Sequence, residues 1–162
     1  MEEYFADTYN ELSQREKGSK YHAYISRLKT ENDIENILWQ AQKANEDTQI
    51  LRQIFDTVIA RTKDMHWYDN TYKTLNERAL ICFDEANGLI IKQPDRVMYN
   101  DKEVIVVDYK FGKREEKYNK QVRQYMQLIG QTQAFKGRDI IGYLYYINPE
   151  NPTESTIERC FM

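Results

Sequence analysis

Asp95, Asp108 and Lys110 form the arrangement in this sequence that is best suited to chemistry. Asp108 and Lys110 end the segment 104–110, whose first four residues are all β-branched, as is typical of a strand buried on both faces. Because side chains alternate along a strand, Asp108 and Lys110 are expected to point to the same face. Charges at the end of a buried strand need partners or access to solvent, since burial of an unpaired charge is costly.

Asp95 precedes Asp108 by one hairpin, so the two carboxylates are expected to lie side by side. Adjacent carboxylates repel and raise each other's pKa unless a cation lies between them. Mg²⁺ or Mn²⁺ would meet that need, since both prefer oxygen ligands. The Lys110 ammonium would then stabilise charge developing on a phosphate or orient an attacking water. The alternative is a plain Asp–Lys surface pair, which is the better interpretation of an isolated Asp-x-Lys.

The elements that position these residues begin with a helical part over about residues 1–75. Thr30 and Asp33 give an N-cap signal before the second of three apolar stripes at helical spacing. Residues 62–74 are expected to form a polar connection, and His66 within it is assigned no role. The three stripes are Tyr21, Tyr24, Ile25 and Leu28; Ile34, Ile37, Leu38 and Ala41; and Ile50, Leu51, Ile54, Phe55, Val58 and Ile59.

A sheet-containing core is expected over about residues 76–162. Short apolar runs at residues 79–83, 89–91 and 97–99, separated by turn residues or proline, indicate hairpin-like strands. A helical stripe from Tyr118 to Ile129 precedes apolar runs that predict a strand at 140–147 and an edge strand at 155–160. This order predicts an α/β fold with a mixed sheet flanked by helices and a helical N-terminal part.

Length and composition predict one domain over residues 1–162. Hydrophobic residues make up 41% of the chain, enough for a core, which excludes a disordered or collagen-like protein. No apolar run approaches the roughly 20 residues of a membrane span, and the N-terminus lacks the features of a secretory signal. Two cysteines make no disulfide framework, and Cys82 is expected to be a buried strand residue. These features favour a reducing, cytoplasmic compartment and no membrane partner.

The net charge of −3 excludes capture of nucleic acid by bulk charge alone, because proteins that bind in that way are basic. A nucleic-acid substrate would have to be held by a local arrangement of charge or delivered by an attached partner. The chain has 13 tyrosines, which suit base stacking and half-buried positions beside a sheet equally well. The tyrosine content therefore does not choose between a binding role and a packing role.

Several segments resemble motifs of the PD-(D/E)XK nuclease superfamily, and the resemblance spans about residues 17–148. It is greatest to the RecB-type nuclease domain at the C-terminus of UvrD/Rep-like helicases such as RecB and AddA. The family often has a glycine before the aspartate that corresponds to Asp95, where this chain has Gln93-Pro94. The segments are Gly18-Ser19-Lys20-Tyr21-His22, Asn76-Glu77-Arg78-Ala79-Leu80, Pro94-Asp95-Arg96-Val97, Val107-Asp108-Tyr109-Lys110-Phe111-Gly112 and Gln121-Val122-Arg123-Gln124-Tyr125.

The resemblance also implies roles for individual residues. Gln121 and Tyr125 are similar to the family's Gln-x-x-x-Tyr pair, which borders the active site and the DNA; their spacing puts them on one helix face. Tyr125 also lies on the apolar stripe, so a core role is open. Glu77 fits a metal ligand or a structural partner of a basic residue equally well. The implied metal ligands are His22, Asp95, Asp108 and the backbone carbonyl of Tyr109, and the implied catalytic residues are Asp95, Asp108 and Lys110.

By this resemblance the chain is expected to be a divalent-metal-dependent deoxyribonuclease that uses Mg²⁺ or Mn²⁺ and leaves 5′-phosphate and 3′-hydroxyl ends. Its substrate would be single-stranded DNA or unwound duplex, supplied by a UvrD/Rep-like helicase module of the same polypeptide in DNA repair or recombination. A second hypothesis is a catalytically silent nuclease-like module that binds DNA or acts as a scaffold in a repair complex. The joint presence of His22, Asp95, Asp108 and Lys110 favours the first, because an idle site has no reason to keep charges on a buried strand.

Overall fold

The computed structural model describes residues 15–162, which form four α-helices, seven β-strands and short 3₁₀ turns. Residues 1–14 of the expected helical part lie outside the described residues. The helices are α1 (described over 15–25), α2 (Ile34–Lys43), α3 (Thr48–Thr62) and α4 (Glu116–Gln131). The strands are β1 (Lys73–Asn76), β2 (Leu80–Asp84), β3 (Gly88–Lys92), β4 (Arg96–Tyr99), β5 (Glu103–Lys110), β6 (Asp139–Tyr146) and β7 (Thr156–Cys160).

Five of the strands form a mixed sheet in the order β1-β4-β5-β6-β7. Strands β5 and β6 are parallel, joined by α4 as the crossover helix, and every other neighbouring pair is antiparallel. Strand β7 is an edge strand, as predicted. The expected α/β fold, with a mixed sheet flanked by helices and a helical N-terminal part, is confirmed. Within residues 15–162, no helix has the length and apolar content needed to span a membrane.

Strand β5 lies at the centre of the sheet and is buried on both faces, which explains its run of β-branched residues. Its side chains alternate between two packed layers. Ile105, Val107 and Tyr109 contact the layer formed by the N-terminal helices. Val104 and Val106 contact the layer that contains residues of α4. Asp108 and Lys110 continue the second set, so they emerge on the α4 face of the sheet.

Helix α4 packs closely on the sheet because β6 carries a glycine at the contact. A Cβ at Gly142 would lie 2.5 Å from Met126 Sδ and 2.8 Å from Val122 Cγ1, distances that real atoms do not adopt. Any larger residue would push the helix away from the sheet. Gly142 therefore sets the distance between α4 and the sheet, and with it the position of the polar residues on that helix.

Capping residues precede both α2 and α3, and the pair Thr30 and Asp33 before α2 was predicted from the sequence. Asp33 Oδ2 accepts a hydrogen bond from the Thr30 backbone N–H at 3.0 Å, just before α2. Asp47 caps α3 by accepting from the Gln49 N–H at 2.9 Å. The buried stripes of α2 and α3 belong to one core cluster with the face of the sheet that carries Ile105, Val107 and Tyr109.

The connection after α3 differs from the prediction. Residues 62–74 were expected to be a polar connection, but Trp67 and Tyr68 are only 2% and 4% exposed and belong to the main core. The segment also ends in β1, which begins at Lys73, three residues before the expected start of the sheet-containing core. Large aromatic residues outweigh the polar composition around them because each buries so much apolar surface.

The predicted strands around residues 79–91 form a separate hairpin, β2-β3, and do not open the main sheet. The outer face of this hairpin carries Ile81, Phe83, Leu89 and Ile91, each at least 60% exposed. Cys82 is half-buried, so its expected burial is wrong. The hairpin has no strand neighbour beyond itself in the described residues, and only one of its faces lies against the protein.

Arg96 is the residue through which the sheet is tied to the helical layer. Its side chain is almost fully buried at 1% exposure. Its guanidinium donates to the backbone carbonyls of Leu28 and Lys29, each at 2.7 Å, and to that of Trp67, and it lies 4.2 Å from the centre of the Tyr68 ring. Carbonyl dipoles and an aromatic face thus stabilise this buried charge.

Replacement of this arginine by an apolar residue is expected to destabilise the protein strongly. Arg96→Met fills similar space but leaves buried carbonyls without donors, and we expect the free energy of unfolding to fall by about 3 kcal/mol or more. For a protein of this size that corresponds to a melting temperature lower by roughly 6–12 °C. The exposed Arg78→Met is the matched control, and equal melting of the two variants would show that the Arg96 contacts are not stabilising.

Candidate active site at the end of strand β5

The pairing of β4 with β5 places Asp95 beside Asp108. Arg96, the first residue of β4, pairs with Val107, so the residue before it and the residue after Val107 are neighbours. The Tyr109 backbone N–H donates to Asp95 Oδ2 at 2.8 Å, which fixes the carboxylate at the end of β5. Asp95 and Asp108 are 7% and 2% exposed. The structure therefore brings together the two carboxylates that the sequence analysis singled out.

Helix α1 supplies His22 to the same place. Its Nε2 lies 3.0 Å from Asp95 Oδ1, so the two oxygens of Asp95 are shared between His22 and the β5 backbone. The hydrogen bond to Asp95 raises the pKa of His22, although partial burial acts in the opposite direction. The negative charges of Asp108 and Glu77 also raise it. His22 thus lies in a field of three carboxylates.

Glu77 reaches this site through an unusual backbone turn. It follows β1 with φ at 49°, a left-handed conformation that residues with a side chain seldom adopt, and its N–H donates to the Asp95 carbonyl at 2.9 Å. Ligand atoms of His22, Glu77 and Asp95 all lie within 4.8 Å of one another. One imidazole nitrogen and carboxylate oxygens in such a group fit a divalent cation. Of the two roles considered for Glu77, its position agrees with the metal-ligand role.

Asp108 and Lys110 share the α4 face of β5 and contact each other directly. Lys110 Nζ lies 2.7 Å from Asp108 Oδ2. Burial, together with the charge of Asp95, raises the pKa of the Asp108 carboxyl to about 7, although Lys110 acts in the opposite direction. Metal-free Asp108 therefore carries a proton at a much higher pH than an ordinary aspartate does.

Helix α4 holds Lys110 from the other side. Gln121 Oε1 accepts a hydrogen bond from Lys110 Nζ at 3.1 Å, and the ammonium lies 4.5 Å from the centre of the Tyr118 ring. Tyr125, one turn after Gln121, is buried in the cluster that joins α4 to the sheet. Burial and the charges of Asp108 and Asp95 raise its pKa. Tyr125 is thus a core residue whose hydroxyl also lies in the field of the two carboxylates.

Tyr109 contributes to the site through its backbone. Its N–H contacts Asp95, while its side chain points to the opposite face of the sheet and its hydroxyl contacts that of Tyr68.

His66 lies away from this group and pairs with Asp69 at 2.5 Å.

A basic groove adjoins the carboxylates on the α4 side. It has a volume of about 720 Å³ and is lined by five cationic residues together with tyrosine and glutamine; among the described residues, no carboxylate lines it. Lys110 belongs both to this groove and to the carboxylate site. The cations are Lys92, Lys110, Lys117, Lys120 and Arg123, and the neutral residues are Tyr118, Gln121, Gln124 and Gln127.

The sequence analysis missed most of this groove. Residues 117, 120, 121, 124 and 127 recur at helical spacing on the polar side of α4, so a signal for one shared face was present. Lys92 had no such signal, because it reaches the groove from the end of the β2-β3 hairpin. The local charge of the groove is positive although the chain has a net charge of −3.

Comparison with protein families gives a match over nearly the whole chain. A family model described as the PD-(D/E)XK nuclease superfamily matches residues 3–159. A comparison with curated protein sequences gives no significant match. The match includes every residue of the site at the end of β5, and the fold is that of the family. This chain belongs to the PD-(D/E)XK nuclease superfamily.

Proposed function

We propose that this protein is a divalent-metal-dependent deoxyribonuclease that hydrolyses phosphodiester bonds of DNA. The observation that carries the proposal is the position of Lys110, whose ammonium touches Asp108 in the carboxylate site and also lines the basic groove. A polyanion bound in the groove would thereby have a phosphate next to the carboxylates. A metal-binding site and an anion-binding groove that meet at one lysine support phosphoryl chemistry better than either does alone.

The proposed roles follow from these contacts. His22, Glu77, Asp95, Asp108 and the Tyr109 carbonyl would hold Mg²⁺ or Mn²⁺, and a bound divalent cation activates water and neutralises charge on the phosphate. The Asp95 carboxylate is oriented by the Tyr109 N–H, so it is preorganised. The Lys110 ammonium would stabilise the charge that develops on the phosphate oxygens. Gln121 would keep Lys110 in position, and Tyr125 would support this face of α4.

The proposed substrate is single-stranded DNA or an unwound duplex. The groove provides Lys92, Lys117, Lys120 and Arg123 for backbone phosphates, which answers the objection raised by the acidic net charge. The motifs around His22 and Gln121 support a RecB-type domain linked to a UvrD/Rep-like helicase in DNA repair or recombination. Under this proposal residues 1–162 act as one cytoplasmic nuclease domain, and the helicase supplies the unpaired strand.

A cleavage assay tests the proposed function. The purified protein is incubated with end-labelled single-stranded and duplex DNA in the presence of Mg²⁺, Mn²⁺ or EDTA. We expect shortened products with either metal and none with EDTA. Binding of DNA without cleavage under all conditions would instead support the silent-module hypothesis.

Metal binding is expected to stabilise the folded protein. At a Mn²⁺ concentration 100 times the Kd, binding contributes about 2.7 kcal/mol, which raises the melting temperature of a protein of this size by roughly 5–11 °C. EDTA should reverse the shift, and Asp95→Asn should abolish it because this residue is central to the ligand group. Asp101→Asn, in an exposed turn, is the matched control. An unshifted melting curve for the unaltered protein would show that the carboxylates do not hold the ion.

A further inference from the structure

A second cavity lies at the carboxyl ends of the two parallel strands, β5 and β6. It has a volume of about 490 Å³ and includes the residues that follow each strand. In α/β sheets this edge is the usual position of ligand sites, and the volume is within the range of small-molecule pockets. We refer to it as the edge cavity, defined here by Lys17, Tyr21, Phe111, Lys113 and Asn148, which lie on its wall with other residues.

The edge cavity has an aromatic wall. Tyr21 and Phe111 are half-buried, and their ring centres are 6.0 Å apart at an interplanar angle of 36°. Gly18 allows this contact between α1 and the end of β5, because a Cβ there would lie 3.3 Å from Phe111 Cβ. Partly accessible aromatic rings at a cavity wall offer faces on which a planar ligand can stack.

The polar residues of the edge cavity differ from those of the basic groove. Three cations line it, Lys17, Lys113 and Arg114, and they are accompanied by the carboxylates of Glu150 and Glu154 and by the amide of Asn148. Carboxylates in this mixture make it poorly suited to a chain of phosphates, whereas the groove offers cations and neutral polar residues. The mixture suits the edge of a nucleobase, which has both hydrogen-bond donors and acceptors.

The edge cavity and the basic groove lie on either side of the proposed catalytic lysine. Lys110 lines the groove, and the next residue, Phe111, lines the edge cavity. On helix α1, Tyr21 lines the edge cavity and the next residue, His22, contacts Asp95. The carboxylate site thus adjoins both surfaces through neighbouring residues on β5 and on α1.

We propose that the edge cavity binds the unpaired base of a nucleotide that flanks the scissile phosphate, with the base stacked on Tyr21 and Phe111. This inference rests on the proposed nuclease function and adds a specificity site to it. A base held in this cavity cannot remain paired in a duplex, so the cavity selects single-stranded or locally opened DNA. The basic groove then binds the backbone without regard to sequence, and the edge cavity detects that the strand is unpaired.

Equilibrium binding separates this role from cleavage. The full chain carrying Asp108→Asn, in EDTA, is titrated with a fluorescent thymidylate 12-mer and with a 12-mer of the same backbone that lacks bases. Stacking of one base contributes about 1–3 kcal/mol, so the base-bearing strand should bind roughly 5- to 150-fold more tightly. Adding Phe111→Leu or Tyr21→Leu should lower the ratio of the two affinities by at least about fivefold. Binding of the base-free strand should stay unchanged.

Phe135→Leu is the matched control, because Phe135 is also a half-buried phenylalanine whose ring packs against that of a tyrosine, Tyr99, and it does not line the edge cavity. Phe135→Leu should keep the ratio of the parent protein. The proposal is overturned if both edge-cavity variants also keep it. Thymidine monophosphate that competes as tightly as the 12-mer would show that the cavity takes a free nucleotide and not a strand.

The experiment distinguishes failure of the base site from failure of the proposed nuclease function. Cleavage by the unaltered protein without discrimination between the two 12-mers would overturn the base site and leave the proposed function in place. Discrimination that depends on Phe111, without cleavage in Mn²⁺, would support the base site and overturn the nuclease.

Discussion

Asp108→Asn is expected to lower the rate of DNA cleavage by at least about 10³-fold and to make the metal-free protein more stable. The loss of activity follows because the substitution removes a carboxylate next to Asp95 and leaves fewer charges to hold a cation. The fold should persist, since the amide is isosteric and its oxygen can remain in contact with the Lys110 ammonium. Opposite effects on activity and stability are typical of a residue kept for function.

The gain in stability follows from the pKa of Asp108. Burial and Asp95 raise that pKa from the ordinary 3.8 to about 7, so the ionised form disfavours the folded state. Stability from this group is fully present below about pH 4, where both states are protonated, and is lost as the pH rises through 7. A shift of this size corresponds to at most about 4 kcal/mol. In EDTA at pH 8, Asp108→Asn should therefore melt at a higher temperature than the unaltered protein.

Asp101→Asn is the control for this prediction, because Asp101 lies in an exposed turn outside the site. It should change neither the cleavage rate nor the melting temperature in EDTA at pH 8. Cleavage by Asp108→Asn at the rate of the unaltered protein would contradict the assignment of Asp108 to the site. Equal stability of the two proteins at pH 8 would contradict the raised pKa.

Local sequence patterns were sufficient to predict how Asp95, Asp108 and Lys110 come together. Strand alternation puts Asp108 and Lys110 on one face, and one hairpin returns the chain so that Asp95 lies beside Asp108. Both rules depend only on the geometry of neighbouring strands. The helical stripes and the capping signal of Thr30 and Asp33 were equally local, and the structure has them where they were expected.

The features that the sequence did not predict depend on contacts between distant segments. Nothing in residues 79–91 distinguishes a strand of the main sheet from a separate hairpin, because both bear apolar residues at strand spacing. Arg96 was noted only as part of a motif, yet its partners are carbonyls of residues 28, 29 and 67. The basic groove likewise depends on the hairpin, because Lys92 at the end of β3 lies beside residues of α4 that are distant in the sequence. Burial of a charge on backbone carbonyls has no periodic pattern by which it can be recognised.

Lys110→Met is expected to reduce the single-turnover cleavage rate by about 10²–10³-fold and to leave Mn²⁺ binding intact or tighter. The substitution keeps an unbranched side chain in the space between Asp108 and α4 but removes the ammonium. Loss of one electrostatic contact to a developing charge typically has an effect of this size. A protonated lysine cannot ligate the cation, and its positive charge competes with the metal for Asp108. Calorimetric titration with Mn²⁺ beside the cleavage assay measures both quantities.

Lys117→Met provides a closely matched control for this prediction. Both lysines line the basic groove and lie over the ring of Tyr118, at 4.5 Å for Lys110 and 5.2 Å for Lys117, but Lys117 pairs with Glu115. Its loss should weaken DNA binding in a salt-dependent way and leave the rate at saturating DNA unchanged. If Lys110 were only the ion-pair partner of Asp108, both variants would behave alike. Near-normal turnover in Lys110→Met would rule out the catalytic role, and loss of Mn²⁺ binding would show that Lys110 instead holds the carboxylates in place.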